Sequence, residues 1–338
     1  MILDVNVQDK YQVIIENGIL KKASSYFNLD RKVLILSDSG VPIVYSEAIK
    51  QQCKEAVTFV IDQGEQSKNI DSYLQVMKVL VENEFTRSDC IVAVGGGVVG
   101  DLGGFVASTY MRGIDFYNCP TTLLSQVDSS IGGKTAVDFL TYKNIIGTFY
   151  QPKCVLIDTS TLKTLSARQF YSGLVEALKM GITSDPKLVD LIDNNKGHLF
   201  KVIDEVIFRA LSVKKEVVEK DTKEQGLRQI LNFGHTIGHA IESSSDMKLL
   251  HGECVGLGML YFSSKEVKQR IISILKKYNL PTEIELDKED IFKYIKHDKK
   301  TRGNTINVVF VDQIGKYRIE NISLDFLKEI LVKENLNA

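Results

Sequence analysis

Residues 90–104 read CIVAVGGGVVGDLGG, an apolar run that leads through a glycine turn into a helical segment. Within it, residues 95–100 match GxGxxG, a pattern typical of dinucleotide binding when it joins a strand to a helix. Glycines let the backbone approach a pyrophosphate, and the helix N-terminus adds N–H groups and a positive dipole end. The stretch predicts nucleotide contacts from Gly97, Val98, Val99, Gly100 and Asp101. A tight structural turn with close helix packing remains the alternative.

Apolar runs continue on both sides of this stretch, at 32–38, 56–62, 116–122 and 153–160, and residues 69–83 show helical spacing. Strands that alternate with helices indicate a mostly parallel sheet covered on both faces. After about residue 160 the spacing becomes helical, with one strand-like run at 305–311. The predicted helices are 167–183, 186–196, 199–221, 230–245, 252–278 and 288–297. We therefore predict an α/β, Rossmann-like nucleotide-binding domain over 1–160 and a mainly α-helical domain over 161–338.

The glycine turn departs from the usual Rossmann layout because it follows several strands. The acidic residue that should hold the ribose about 20 positions later would be Asp115, which has no clear strand-end context. Asp38 closes the run KVLILSD and is the better candidate for that contact.

Composition excludes several classes of protein. The 338 residues are 44% hydrophobic and carry a net charge of −1, so no global field recruits nucleic acid or an anionic membrane. An anionic substrate must be held by a local group of Lys and Arg. The five cysteines are scattered, which predicts free thiols in a reducing compartment. No signal peptide or membrane span is visible, and we predict a cytoplasmic enzyme.

Three of the five histidines, His235, His239 and His251, fall within LNFGHTIGHA and the HGE that follows it. Glu176 lies upstream in LVEALKMG. A carboxylate with imidazoles is the donor set of a catalytic Zn²⁺, which keeps one position open. His235 and His239 are four residues apart, so a helix would present both on one face. Polar core histidines are the alternative.

Several of these segments together resemble one enzyme family. GGGVVGDLGGF, PTTLLSQVDSSIGGKTAVDF, KNIIGTFYQP, LRQILNFGHTIGHA and HGE are similar to 3-dehydroquinate synthases, members of the sugar-phosphate cyclases. The similarity extends from about Asp62 to Lys300. It implies that a seven-carbon sugar-acid phosphate, DAHP, is converted to 3-dehydroquinate in the shikimate pathway of aromatic amino acid biosynthesis, with NAD and Zn²⁺ or Co²⁺.

The resemblance also implies the order of the chemistry. Hydride transfer to NAD⁺ oxidises an alcohol carbon, the new carbonyl acidifies the neighbouring C–H, and phosphate leaves by β-elimination. The hydride then returns, and ring opening with an intramolecular aldol step closes the carbocycle. NAD⁺ is regenerated in each turnover, so no net oxidation occurs.

Site residues follow from the resemblance, position by position. Glu176, His235 and His251 are the implied metal ligands, and His239 is implied to move protons. The implied substrate contacts are Asp128, Lys134, Asn144, Lys179, Lys214, Arg228 and Asn232. Lys179 is one helical turn after Glu176, and an exposed, weak ion pair is the alternative. Arg112 matches a position that reaches the substrate of a neighbouring subunit, which implies a homodimer; an ordinary loop arginine is the alternative.

The implied nucleotide contacts outside the glycine turn are Glu65, Lys68, Thr121, Thr122, Lys134, Lys143, Thr161, Leu162, Lys163 and Thr164. Asp138, Tyr142 and Cys254 depart from the family pattern, and Asp138 adds negative charge near an anion site. Lys299 and Lys300 match a family block, but the sequence does not tell which of them faces the substrate.

Three other functions stay open at this point. The chain could be another sugar-phosphate cyclase, such as a 2-deoxy-scyllo-inosose synthase, acting on a different sugar phosphate. It could be a metal-dependent alcohol dehydrogenase, which would accumulate NADH. It could also be a non-catalytic nucleotide-binding protein, although the complete ligand set and the many cations argue against that.

Overall fold

A computed structural model describes residues 1–140, 142–222, 226–245, 248–284, 288–296 and 303–333. The chain divides into two compact units, Met1–Ser166 and Ala167–Ala338.

The first unit is built on a seven-stranded sheet. Its strands and helices, in chain order, are β1 (Ile2–Val5), β2 (Tyr11–Ile15), β3 (Lys32–Asp38), α1 (Ile43–Lys50), β4 (Glu55–Ile61), α2 (Ile70–Glu82), β5 (Cys90–Gly95), α3 (Gly97–Thr109), β6 (Asp115–Pro120), β7 (Lys134–Phe139), β8 (Tyr142–Phe149) and β9 (Cys154–Ile157). The strand order is β1-β2-β9-β6-β5-β3-β4. Only the β1–β2 pair is antiparallel in this sheet.

Both faces of the sheet are covered, as the continuous apolar runs predicted. Leu34 and Leu36 of β3 pack with α2 and α3 on one face. Val33 and Ile35, the alternate residues of the same strand, pack with α1 on the other face. Successive strand residues point to opposite faces, so a strand buried on both sides must be apolar throughout. The α/β class predicted for this half of the chain is confirmed.

The glycine-rich stretch forms the predicted strand, turn and helix. β5 ends at Gly95, Gly96 precedes the helix, and α3 begins at Gly97. Close packing also acts along the whole stretch: a Cβ on Gly104 would lie 2.4 Å from Thr135 Cγ2, and one on Gly97 would lie 3.2 Å from Ser129 Oγ. The glycines therefore form the turn and also let α3 pack closely on its neighbours.

The hairpin of β7 and β8 was not predicted as secondary structure. β8 is largely exposed, and the hairpin includes positive φ angles at Leu140 and Asn144. Exposed strands lack the apolar alternation by which strands are recognised in a sequence.

The second unit is mainly helical, as predicted. Its elements are α4 (Ala167–Ser184), α5 (Pro186–Asn194), α6 (Leu199–Lys220), α7 (His235–Ser244), α8 (His251–Tyr261), α9 (Lys265–Lys277), α10 (Lys288–Lys296), β10 (Thr305–Gln313), β11 (Lys316–Ser323) and α11 (Leu324–Lys333). β10 and β11 form an antiparallel hairpin, of which the sequence pattern indicated only the first strand.

Two helix predictions in this unit were wrong. The single helix predicted over 252–278 is interrupted between α8 and α9, because the N–H of Ser264 donates to the carbonyl of Val311 and the N–H of Val311 donates to the carbonyl of Phe262. Ser264 also caps α9, since its side chain accepts from the N–H of Val267. The helix predicted over 230–245 begins only at His235, after a 3₁₀ segment, Leu227–Asn232.

All five cysteines are free thiols, and all but Cys53 are buried. Burial raises the pKa of Cys53 to about 11 and, against the opposing charge of Arg31, that of Cys90 to about 12. Among the described helices, none combines the length and the apolar character needed to cross a membrane.

Candidate metal centre and nucleotide turn

Helix α4 carries two buried side chains of opposite charge, Glu176 and Lys179. The side chain of Glu176 is 0% exposed and that of Lys179 is 2% exposed, and the two form a direct ion pair one helical turn apart. The exposed, weak ion pair that we considered from the sequence is thus excluded. A buried carboxylate needs a positive partner to offset its lost hydration, and Lys179 provides one.

Three imidazoles gather beside this carboxylate. His235 and His239 share α7, with ring centroids 5.1 Å apart, and His251 is the first residue of α8, 5.3 Å from the His235 ring and 5.7 Å from the His239 ring. Nitrogens of the three rings lie within 4.8 Å of one another. Glu176 Oε1 is 3.7 Å from His235 Nε2 and 3.5 Å from His251 Nε2. The tertiary fold therefore brings together the three predicted metal ligands, Glu176, His235 and His251, and the predicted proton carrier His239.

Glycines allow the helices that carry these residues to touch. A Cβ on Gly258 of α8 would lie 2.0 Å from the carbonyl oxygen of Gly234, directly before α7. A Cβ on Gly252, next to His251, would lie 1.9 Å from the carbonyl oxygen of Ser172 on α4. The N–H of Gly252 also donates to Ser172 Oγ at 3.1 Å. Glu176 and His251 can therefore lie close together only because residue 252 has no side chain, which lets α8 touch α4.

We expect Gly252→Ala to weaken both folding and metal binding. Its methyl group overlaps the α4 backbone, and overpacking of this kind costs about 1–3 kcal/mol. Relief of the overlap moves His251 away from Glu176, so the Zn²⁺ dissociation constant should rise. Denaturant unfolding and competition with a chromophoric chelator measure the two effects.

Gly197→Ala is the matched control for that substitution, because a Cβ at Gly197 would meet nothing within 4 Å. Equal stability and equal Zn²⁺ affinity of the two variants would contradict the packing argument.

The outer nitrogens of two rings are held by acceptors. His235 Nδ1 lies 3.1 Å from the carbonyl oxygen of Phe233, and His251 Nδ1 lies 3.2 Å from Glu242 Oε2. A carbonyl or carboxylate oxygen only accepts, so each Nδ1 donates and each Nε2 is directed to Glu176. Sequence reasoning missed Glu242; the available signal was its position on α7, two turns after His235.

The charges around His251 alter its protonation. Burial opposes a positive imidazole, but hydrogen bonds and charges from Glu176 and Glu242 outweigh it and raise the pKa of His251 from 6.5 to about 9. A metal ion that binds at neutral pH must therefore displace a proton from this ring.

Further cations of the second unit are buried. Lys214 on α6 is 5% exposed and Arg228 is 2% exposed. Arg228 lies in the 3₁₀ segment directly before α7, where its Nη1 donates to the carbonyl of Thr222 at 2.7 Å. Asn232 ends the same segment, which packs against α4 and α6.

In the first unit, the nucleotide candidates collect at the carboxyl edge of the sheet. Asp38 ends β3, Gly95 ends β5, and Thr121 follows β6 and donates its N–H to the carbonyl of Gly95. Ligands of parallel α/β sheets bind at this edge. Asp115 begins β6 at the opposite edge and pairs with Arg31 at 2.8 Å, so it cannot hold a ribose at the turn.

The segment around Lys68 lies beside the first turn of α3. Lys68 is 4% exposed, and its Nζ is 2.5 Å from Glu65 Oε1 and 3.5 Å from Asp101 Oδ2. Burial lowers the pKa of Lys68, but the charges of Asp101, Glu65 and Asp138 together outweigh it, and the pKa is raised. Asp138 donates its N–H to the carbonyl of Lys68 at 2.8 Å, and its negative charge is one of those that raise the pKa of Lys68.

The remaining first-unit candidates lie on short or irregular elements. Asp128 is in the π-helical turn Ser125–Ser129, and Asn144, with φ 52°, donates its N–H to Asp138 Oδ1 at 2.7 Å. Arg112 is exposed, with φ 68°. The others are placed as follows: Lys134 begins β7, Tyr142 and Lys143 begin β8, Thr122 contacts Ser125, and Thr161, Leu162, Lys163 and Thr164 lie in the 3₁₀ segment Thr159–Thr164.

Lys299 and Lys300 lie outside the described residues. Cys254, which departs from the family pattern, is fully buried on α8.

The donor set fits a borderline divalent cation. One carboxylate and imidazole nitrogens, with Nε2 of two rings converging on the carboxylate, are the ligands that Zn²⁺ and Co²⁺ accept.

Comparison with protein families gives two matches along the chain. Residues 58–172 match the model described as 3-dehydroquinate synthase N-terminal, and residues 173–301 match the one described as 3-dehydroquinate synthase C-terminal. Among curated proteins, the 3-dehydroquinate synthase of Streptococcus thermophilus strain CNRZ 1066 is 42% identical over 98% of this chain and 100% of its own length.

Solved structures give the same picture. A 2-deoxy-scyllo-inosose synthase complexed with carbaglucose-6-phosphate, NAD⁺ and Co²⁺ has a TM-score of 0.89 at 25% identity, covering 98% of this chain and 100% of that one. The 2-epi-5-epi-valiolone synthase from Streptomyces hygroscopicus subsp. jinggangensis 5008, with NAD⁺ and Zn²⁺ bound, has a TM-score of 0.88 at 25% identity, covering 98% of each chain.

Proposed function

The chain belongs to the 3-dehydroquinate synthase family, and we propose that its conversion of DAHP to 3-dehydroquinate and phosphate depends on the metal centre and the nucleotide turn described above. NAD and a divalent metal are its cofactors. The observation that carries the proposal is the convergence of His235 Nε2 and His251 Nε2 on the buried carboxylate of Glu176.

We propose Glu176, His235 and His251 as the metal ligands, in preference to the three histidines alone. The Nδ1 hydrogen bonds of His235 and His251 leave Nε2 of each ring directed to Glu176, which supports this set. A metal held by these residues would act as a Lewis acid, lowering the pKa of a substrate hydroxyl and polarising a carbonyl. His239, on the same helix face as His235, is the nearby base that exchanges a proton with the substrate through a ring nitrogen.

The cations of the second unit are proposed to bind the anionic groups of DAHP. Lys179, Lys214 and Arg228 are all buried, and a charge that is shielded from water acts more strongly on a bound anion. The substrate carries a phosphate and a carboxylate, and Arg228 can hold either with two parallel N–H bonds. Asn232 adds a neutral donor that orients the bound substrate.

The first unit is proposed to contribute further substrate contacts and to hold NAD. Asp128, Lys134 and Asn144 contact substrate hydroxyl or phosphate oxygens. Arg112 reaches the substrate of a second protomer, so the active form is a homodimer; its exposure is consistent with this role. Oriented N–H groups at the start of α3 bind the pyrophosphate. The proposed nucleotide contacts are Asp38, Glu65, Lys68, Gly97, Val98, Val99, Gly100, Asp101, Thr121, Thr122, Lys134, Lys143, Thr161, Leu162, Lys163 and Thr164.

The location proposed for the enzyme is the cytoplasm. The free thiols support a reducing compartment.

An assay with two sugar phosphates tests the function. We expect phosphate release from DAHP and none from glucose 6-phosphate, because the cations have a carboxylate to bind only in DAHP. Release from glucose 6-phosphate alone would favour a 2-deoxy-scyllo-inosose synthase. Phosphate is measured colorimetrically with NAD⁺ and Zn²⁺ present.

The same assay distinguishes the enzyme from a dehydrogenase. The hydride returns to the substrate within each turnover, so no absorbance of reduced nicotinamide should accumulate at steady state. NADH rising in step with turnover would contradict the assignment.

A further inference from the structure

Glu242 lies next to the metal centre, and neither the metal ligands nor the substrate contacts proposed above include it. Its side chain is 13% exposed, and Oε2 lies 3.2 Å from His251 Nδ1. His251 itself is 27% exposed, with its opposite nitrogen, Nε2, 3.5 Å from Glu176 Oε1. The imidazole is therefore held between two carboxylates, one at each ring nitrogen.

The position of Glu242 on α7 explains this contact. His235, His239 and Glu242 follow one another at intervals of four and three residues, which places all three on one helix face. The same face lies against α8, whose first residue is His251. Helix α7 therefore provides the candidate metal ligand His235. It also provides Glu242, which accepts a hydrogen bond from the candidate ligand His251 on α8.

The two ligand histidines differ in what holds them. His235 Nδ1 has the carbonyl of Phe233, two residues away in the chain, so local backbone geometry orients that ring. His251 starts a helix, and its Nδ1 faces a side chain, the carboxylate of Glu242, nine residues earlier. An ionised acceptor forms a stronger hydrogen bond than a neutral one and makes the opposite nitrogen a better electron donor.

We propose that Glu242 is a positioning residue for the metal: it holds the His251 proton on Nδ1, directs Nε2 toward the site shared with Glu176, and so strengthens metal binding. The proposal rests on the metal site given under the proposed function. It adds a residue that acts through His251 and touches neither metal nor substrate.

The test is the Zn²⁺ dissociation constant of the full chain, measured by competition with a chromophoric chelator. Loss of such an outer acceptor weakens metal binding by about 10–100-fold, and we expect this for Glu242→Ala. Glu242→Gln keeps an oxygen acceptor but loses the charge, so its affinity should fall between wild type and Glu242→Ala. Visible absorption of the Co²⁺-loaded proteins reports ligand geometry and should change in Glu242→Ala.

Glu216→Gln is the control, because Glu216 is an exposed helical glutamate paired with Lys220 on α6. Its Zn²⁺ affinity should equal that of the wild type. If both Glu242 variants bind Zn²⁺ as tightly as the wild type, the role of Glu242 is overturned, while the metal site itself stands. If Glu242→Ala does not fold, an unchanged affinity and Co²⁺ spectrum of Glu242→Gln would overturn it. A wild-type protein that binds no Zn²⁺ would overturn the metal site itself, and the inference with it.

Discussion

Alanine in place of His251 is expected to abolish Zn²⁺ binding at the metal centre and, with it, turnover. The substitution removes one of the two imidazoles whose Nε2 atoms lie beside Glu176. A metal ion stabilises developing charge by several kcal/mol, and each 1.36 kcal/mol is a factor of ten in rate. We therefore expect kcat for phosphate release to fall on the order of 10³-fold or more. Metal content by elemental analysis and the DAHP assay measure the two losses.

His198→Ala is the matched control for this substitution. His198 is exposed in the 3₁₀ segment Lys196–His198 and makes no side-chain cap hydrogen bond for α6. That variant should keep one Zn²⁺ per chain and wild-type turnover. Full activity of a folded His251→Ala protein would instead show that the metal lies elsewhere, or that catalysis needs none at this centre.

Replacing Lys179 by methionine should be the most destabilising of these changes in the metal-free protein. Methionine keeps most of the volume but removes the ammonium group that pairs directly with the buried Glu176 carboxylate. Breaking one side of a buried ion pair costs about 3–5 kcal/mol, far more than the value of an exposed pair. Urea unfolding in the presence of a chelator measures the change in the free energy of unfolding.

Zinc should partly reverse that loss, since a cation bound at Glu176 replaces some of the missing positive charge and stabilises the folded state by mass action. Lys220→Met is the control, because Lys220 and Glu216 form the exposed counterpart of this pair on α6. It should leave the unfolding midpoint almost unchanged. Similar midpoints for the Lys179 and Lys220 variants would contradict the idea that burial makes the Glu176–Lys179 pair important.

The strands and helices could be predicted wherever one face or both faces of an element are buried. The runs at 32–38 and 90–97 became β3 and β5, because strands covered on both sides must be apolar throughout. β8 is largely exposed and has no such requirement, and the buried run of β7, residues 135–137, is too short to carry a periodic signal. The break between α8 and α9 was missed because the bonds that cause it come from Val311, far along the chain.

For the site, the sequence showed which residue types could bind a metal or a nucleotide. It did not show which individual residues lie together in the site. Three histidines, Glu176 and a glycine turn were noted in the chain itself, whereas Lys214 and Arg228 were chosen through the family resemblance. Neither the sequence pattern nor the family resemblance indicated Glu242, because its partner His251 lies on α8 and not on α7. The sequence also did not tell whether Lys179 is buried. Helical spacing shows on which face of a helix a residue lies, but not which other elements cover that face.

The sequence by itself determined the class of each half of the chain, the position of the glycine turn and the residues able to bind a metal. These depend on local periodicity, glycine conformation and donor chemistry, which neighbouring residues carry. Only the tertiary structure decided that α4, α7 and α8 approach closely enough, at Gly252 and Gly258, to bring Glu176, His235 and His251 together. Contact between helices distant in sequence depends on the shapes of both surfaces, and no single segment contains that information.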